Sequence, residues 1–285
     1  MRSLLAIDGD SFAHRAYHGL PKTLTRAGGR PAGAIIGFAN MLTRLWEAER
    51  PRAVLVAWDT LDEPTYRHTA FPGYQGGRDF DAALLEQLPL LPEFVHACGF
   101  AVAKTAGYEA DDFLAAAAST EEARGGTTLV ATSDRDAFQL ASERTTILQP
   151  VRGVSELARI GPAEVRERYG VDPAQVADFI ALRGDPSDRL PGARGVGPKT
   201  AADVLTQYGS LEAALADGRF AMQAEELRLF RRIATLDASA PLPSLADQSP
   251  TWAGASSLAD TWGLGQLAGR LESLATRGAE TRSSS

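Results

Sequence analysis

The chain has 285 residues, 44% of them hydrophobic and 23% charged, the make-up of an ordinary soluble globular protein with room for one large domain or one domain plus a small module. Its single cysteine, Cys98, excludes an intrachain disulfide framework, and no apolar run approaches the roughly 18–20 residues that span a bilayer. The net charge of -7 argues weakly against nucleic acid as a partner, unless the acids are concentrated at one site where bound cations cancel them.

Residues 3–8 read as a first strand. Met1-Arg2 leads straight into it with no small-residue cleavage site, so no signal peptide and a cytoplasmic setting are expected. Residues 31–49 have helical periodicity, with Ile35, Ile36, Ala39, Leu42, Leu45 and Trp46 on one side. Residues 53–58 read as a second strand, completing a βαβ unit. From Thr60 to Asp79 the chain is polar and glycine-rich and too long for an ordinary connection. Residues 81–98 return to helix, ending on Cys98 as an inert thiol, and a short strand follows near 100–103. Gly107-Tyr108-Glu109-Ala110-Asp111-Asp112 then opens an alanine-rich helix that runs to about Arg124. Residues 127–132 and 145–148 read as further strands. Past Gly161 the strand signals fade and the chain reads as helical, broken at 184–191 and 192–198. Residues 238–257 are expected to be irregular and 281–285 disordered. The expected fold class is α/β, a mostly parallel central sheet flanked by helices over residues 1–160, with a helical region over 161–285.

Three of the apolar runs end in aspartate: Asp8, Asp59, and the pair Asp134 and Asp136. In open α/β folds the working groups sit just past the carboxyl ends of the strands. Glu109, Asp111 and Asp112 open a helix, where acids also suit the macrodipole, and Asp185 and Asp188 share a tight polar loop. Any one of these acids reads equally as a helix cap or turn residue. Gathered together, two unit charges about 5 Å apart repel by roughly 3 kcal/mol at an effective dielectric near 20. Either the acids are spread apart in water or divalent cations hold them together, and oxygen-only ligands suit Mg²⁺ or Mn²⁺. Zinc is disfavoured because His14, His18, His68 and His96 form no ligand pattern, and no Gly-x-Ser-x-Gly elbow marks a serine hydrolase.

Gly192-Ala193-Arg194-Gly195-Val196-Gly197-Pro198-Lys199-Thr200 superficially matches a phosphate-binding loop of the Walker type. Pro198 separates the last glycine from the lysine, and no strand precedes it. Pro198 instead suits the first position of a helix, and residues 173–183 read as the helix before. Two helices joined by Gly195-Val196-Gly197 make a helix-hairpin-helix, whose glycines and free N–H groups suit a DNA phosphate. A plain helix connection with glycine caps is the alternative for this motif alone.

Taken in order, these segments resemble the flap endonuclease superfamily, and within it the 5′-nuclease domains of bacterial DNA polymerase I. The likeness runs from about Leu4 to at least Tyr208. It rests on Ile7-Asp8-Gly9 with Arg15, Trp58-Asp59 with Tyr66-Arg67-His68, the 107–112 segment, Thr132-Ser133-Asp134-Arg135-Asp136, the 184–192 loop and the hairpin. The resemblance implies a PIN-like core with a helical arch at about 60–98 and a helix-hairpin-helix module at about 173–208. It implies two or more ions, Asp8, Asp59, Glu109 and Asp111 serving one and Asp112, Asp134, Asp136, Asp185 and Asp188 the other. Arg15, Tyr66, Arg67, Tyr74, Gln75 and Arg78 become contacts to DNA, with Arg78 also supporting catalysis. Gly195, Gly197, Lys199 and Thr200 grip the duplex, with K⁺ at the hairpin. The implied activity is 5′-to-3′ exonuclease and flap endonuclease on DNA with flaps, nicks or 5′ ends, and on RNA–DNA hybrids, by a stand-alone monomer away from membranes.

Four residues depart from the family pattern. Gln75 stands where an arch lysine is usual, Arg189 where an asparagine is common, and Asp10 and His14 among atypical neighbours. A structure-specific DNA-binding protein with weak chemistry and a PIN-type ribonuclease are the competing readings.

Overall fold

The computed structural model describes residues 2–60, 63–76, 80–152 and 156–283. Strand β1 (Leu4–Asp8) is followed by α1 (Gly9–Gly19), a small antiparallel pair of β2 (Thr25–Arg26) and β3 (Arg30–Pro31), α2 (Gly33–Glu49) and β4 (Ala53–Ala57). Helices α3 (Tyr66–Ala70), α4 (Ala82–Leu85) and α5 (Leu90–Ala97) lead to β5 (Ala101–Ala103), α6 (Ala110–Ala123) and β6 (Thr128–Ala131). A 3₁₀ turn over Asp136–Leu140 precedes β7 (Thr145–Arg152) and β8 (Glu156–Ile160). Helices α7 (Pro162–Tyr169), α8 (Val176–Arg183), α9 (Pro198–Tyr208), α10 (Leu211–Ala216), α11 (Ala224–Ala234), α12 (Trp252–Thr261) and α13 (Gly265–Ser283) complete the chain.

The main sheet has the order β5-β4-β1-β6-β7-β8, parallel except for the β7–β8 pair. Successive strand residues point to opposite faces. Leu4, Ala6, Leu55 and Val130 therefore pack with Phe113, Phe179 and Phe230, whereas Leu5, Ile7, Val54 and Val56 pack with Phe38, Phe94 and Trp252. Helices cover both faces, which is why β1, β4 and β6 read as unbroken apolar runs. The chain leaves β1 towards β4 and β5 and then returns to the other side of β1 for β6. This reversal opens a crevice at the carboxyl ends of β1, β4 and β6. Asp8, Asp59 and Asp134 stand there.

The approach of α1 to β4 at that edge requires Gly9: a Cβ there would lie 2.6 Å from the Trp58 ring. The mostly parallel α/β sheet and the helical remainder match the expectation, with several local differences. Helix α1 was not among the expected elements, although Phe12, Ala13, Ala16 and Tyr17 form its buried face at helical spacing. Strand β8 is a partly exposed edge and showed no apolar run. The single helix expected over 81–98 is two, because Pro89, lacking an N–H, caps the start of α5. Irregular chain persists only to Thr251. Helix α12 then forms because Trp252 is buried edge-on against Trp46 and Phe100. Helix α13 continues to Ser283, through part of the tail expected to be disordered, and residues 284–285 lie outside the described ones. Among the described residues no helix is long and apolar enough to cross a membrane.

Candidate active site

The crevice is a cleft of about 920 Å³ lined by Asp8, Asp59, Glu109, Asp111, Asp134, Asp136 and Asp185, together with Asp10. Main-chain amides fix several of these acids. Asp8 caps α1, its Oδ1 accepting from the Ser11 N–H at 2.9 Å and its Oδ2 from the Thr132 hydroxyl at 2.8 Å. Asp10 Oδ2 accepts from the Asp59 N–H at 2.7 Å, and Asp59 Oδ1 from the Ala110 N–H at 2.7 Å. These contacts tie the start of α1, the end of β4 and the start of α6 together. Asp134 Oδ1 accepts from the Asp136 N–H at 3.0 Å. Asp185 pairs with Arg183 at 2.9 Å and accepts from the Ser187 N–H at 2.8 Å. Asp188 accepts from Gln75 Nε2 at 3.1 Å.

The cleft holds more negative charge than it can easily carry. Burial pushes Asp8 up to about 7, and repulsion from Asp59 and Asp134 adds to it. Burial likewise pushes Glu109 up to about 7, with Asp59 reinforcing the shift and Arg67 and Tyr74 opposing it. Asp10, Asp111 and Asp136 are raised well above the usual carboxylate range, first by burial and then by neighbouring aspartates. Asp111 Oδ1 is buried with no hydrogen-bond partner. Among the described residues no three acids or histidines meet closely enough to form a ready-made metal cage. His14, Arg135 and Arg183 also line the cleft, but its carboxylate oxygens predominate, which is the chemistry hard divalent cations satisfy.

Asp112 departs from the expected ligand set. It is 0% exposed, and Arg67 grips both of its oxygens, Nη1 to Oδ2 at 2.8 Å and Nη2 to Oδ1 at 2.7 Å. The N–H groups of Glu109 and Asp237 take the remaining acceptor positions at 3.1 and 2.8 Å. Adjacent residues on an α-helix point about 100° apart, and here Asp111 lines the cleft while Asp112 turns to Arg67.

Known proteins add the decisive comparison. Residues 3–170 match the family model described as 5′-3′ exonuclease, N-terminal resolvase-like domain. The chain belongs to the 5′-3′ exonuclease family. Residues 171–253 match its companion, the 5′-3′ exonuclease C-terminal SAM fold. The DNA polymerase I of Mycobacterium leprae (strain TN) is 44% identical over 211 residues, 73% of this chain and 23% of that protein. The chain thus spans about a quarter of the length of the curated relatives it matches. Among solved structures, the bacteriophage T5 5′-exonuclease with zinc bound has a TM-score of 0.69 at 17% identity, covering 95% of this chain and 99% of that one. The T5 flap endonuclease in a pseudo-enzyme-product complex with DNA and metal ions has a TM-score of 0.67 at 18% identity, covering 96% and 100%.

In this family member the expected DNA contacts separate by burial. Arg67, 1% exposed, is held by Asp112, Glu109 and the Ile233 carbonyl, so its guanidinium is structural and not turned to a nucleic acid. Tyr74 is 3% exposed and donates to Glu109 at 2.9 Å, which removes it as a stacking platform. Tyr66 is half-buried, donates to the Thr235 carbonyl and lines a separate cleft beside α11. Arg15 donates to Ser133 and to the Pro150 carbonyl, and Gln75 lines the acid cleft. Arg78 lies outside the described residues. Gly195, Gly197, Lys199 and Thr200 are exposed at the hairpin, Gly195 with φ of +73° and Gly197 capping α9. Pro198, the next residue, lines the acid cleft, so the start of α9 stands on its rim. Asp10, Arg135 and Arg183 also line the cleft, and the sequence reading did not count them as site residues. The spacing of Asp10 two residues after Asp8, at a helix start, was the available signal.

Arg67→Ala leaves Asp112 charged, buried and unpaired, so unfolding in urea should show a loss of about 3–5 kcal/mol. A change within 1 kcal/mol would mean the pair is not buried as described. The raised carboxyls set a second test. Asp8 and Glu109 ordinarily titrate at 3.8 and 4.5 and here at about 7, so between those values the folded protein holds more protons than the unfolded one. Their contribution to stability is full below about pH 4 and is lost as pH rises to about 7. In EDTA, the difference in unfolding free energy between the protein and its Asp8→Asn variant should therefore move in the variant's favour from pH 4 to 7. A constant difference would count against the shift.

Proposed function

We propose that this chain hydrolyses phosphodiester bonds in DNA near single-stranded 5′ ends, as a 5′-to-3′ exonuclease and 5′-flap endonuclease in repair and in the removal of RNA primers. The observation that carries this reading is the convergence of carboxylates from five separated stretches, 8–10, 59, 109–111, 134–136 and 185, into one cleft whose rim is the start of the hairpin helix. A neighbour of the same fold, the T5 flap endonuclease, has been seen with DNA and metal ions, which supports the same partners here.

The cleft suits Mg²⁺ or Mn²⁺. Mg²⁺ keeps several of its waters and takes only one or two carboxylates directly, so it needs no closed three-ligand cage. Asp111 Oδ1, buried and unpartnered, is a ready ligand atom. Asp8, Asp59, Glu109 and Asp111 would hold one ion, and Asp134, Asp136, Asp185 and Asp188 a second. Ions so held supply an activated water and positive charge against the leaving oxygen. Arg135 and Arg183 line the cleft where a phosphate would enter, Arg183 already paired with Asp185, with Arg78 as a further contact on the resemblance alone. Lys199 and Thr200 hold a duplex phosphate at the start of α9, where free N–H groups favour an anion. K⁺ at the hairpin, RNA–DNA hybrids as substrates and a monomeric state belong to the same proposal.

A labelled 5′-flap duplex with Mg²⁺ or Mn²⁺ tests it. Asp134→Asn should slow single-turnover cleavage by more than the roughly 10–100-fold typical of an outer-shell partner, with duplex affinity within about threefold. Equal losses in both would make Asp134 a structural acid. No cleavage by the unaltered protein at stoichiometric concentration would refute the enzyme, and preference for single-stranded RNA would favour a PIN-type ribonuclease. Lys199→Ala should weaken duplex binding and lower its salt slope by about 1. An unchanged slope would remove that contact.

A further inference from the structure

Gln75 makes two directed contacts. Its side-chain Nε2 lies 2.8 Å from the Tyr74 hydroxyl and 3.1 Å from Asp188 Oδ1. A carboxylate oxygen accepts, so the amide atom facing Asp188 is the nitrogen, and its second hydrogen goes to Tyr74. The Tyr74 oxygen, accepting from Gln75, turns its own hydrogen to Glu109 Oε2 at 2.9 Å. Asp188, Gln75, Tyr74 and Glu109 therefore form one unbroken run with every donor direction set. Its ends belong to different elements: Glu109 lines the cleft and caps α6, and Asp188 sits in the loop after α8 that brings Asp185 to the cleft.

The backbone at this junction is also unusual. Gln75 has φ of +47° and Arg189 φ of +58°, both in the left-handed region that disfavours a residue with a Cβ. The two segments meet: the Gln75 N–H points to the Asp188 carbonyl at 3.4 Å, and a Cβ on Gly76 would lie 3.2 Å from Arg189 Nη1. Strained residues of this kind persist where their surroundings over-determine them, and they gather at functional sites.

We propose that Gln75 is a positioning residue that sets Glu109, through Tyr74, against Asp188 and so couples the two halves of the acid cleft. The catalytic consequence rests on the nuclease reading above; the coupling itself does not. Partners that orient ligand carboxylates typically change metal affinity or activity by about 10–100-fold when removed.

The test is a double-mutant cycle on Gln75→Ala and Tyr74→Phe. Urea unfolding first checks that each variant is folded, and Gln75→Met, which keeps the side-chain length and removes both donors, replaces Gln75→Ala if that variant is not. On a 5′-flap duplex, each single variant should lower the single-turnover rate about 10–100-fold, with duplex affinity within about threefold. The double variant should be no more than about threefold below the worse single one, because both break the same run. Mn²⁺ titration without DNA, followed calorimetrically, should show the same non-additive weakening. Losses that multiply, an unchanged rate, or a loss confined to duplex affinity would overturn the proposal. If the unaltered protein cleaves no DNA, the nuclease reading fails, and the Mn²⁺ cycle alone decides whether Gln75 couples the two acids.

Discussion

Arg67 and Asp112 meet as a two-pronged ion pair shut away from water, and much of the site is hung from it. Asp112 lies in the first turn of α6 and also accepts from the Glu109 N–H, so the pair fixes where that helix begins. Glu109 and Asp111 are thereby aimed at the cleft. Arg67 further donates to the Ile233 and Thr235 carbonyls, while Asp112 holds the Asp237 N–H. One buried pair thus joins α3, the start of α6 and the end of α11. Such a pair is weak grounds for net stability, since desolvation offsets much of the attraction, but losing one partner strands the other charge. Its role here is geometric.

The cleft shows the opposite balance. Its carboxylates are anchored to amides, hydroxyls and one another's backbone, yet burial and mutual repulsion keep several of them in favour of holding protons. Folding has assembled a site whose charge is left for something else to neutralise. Hydrated divalent cations fit that deficit, since Arg67 is committed to Asp112 and Arg183 is paired with Asp185. On the proposed reading, cations bound at that site would offset the net charge of -7 where a polyanion approaches.

Much of the fold was legible because it is local. Apolar runs ending at Asp8, Asp59 and Asp134 announced parallel strands, and Gly197 and Pro198 announced the start of α9. The misses have identifiable causes. Strand β8 lies at an exposed edge and shows no apolar run. Helix α12 forms in a stretch of small residues because Trp252 finds Trp46 and Phe100. Asp10 lies in the first turn of α1, where an acid suits the helix start, and only its contact with the Asp59 N–H marks it as part of the site.

By itself the sequence determined the α/β class, the strands leading into Asp8 and Asp59 and the start of α9, because strand runs, helix openings and turn residues are set by neighbours a few residues apart. Only the tertiary structure decided which acids face the cleft and which basic and aromatic residues are turned inward. Asp112 is removed from the ligand set by Arg67, 45 residues away, and Gln75 is drawn to Asp188, 113 residues away. Such pairings depend on desolvation and on the direction each side chain leaves its backbone, and neither is written in local spacing.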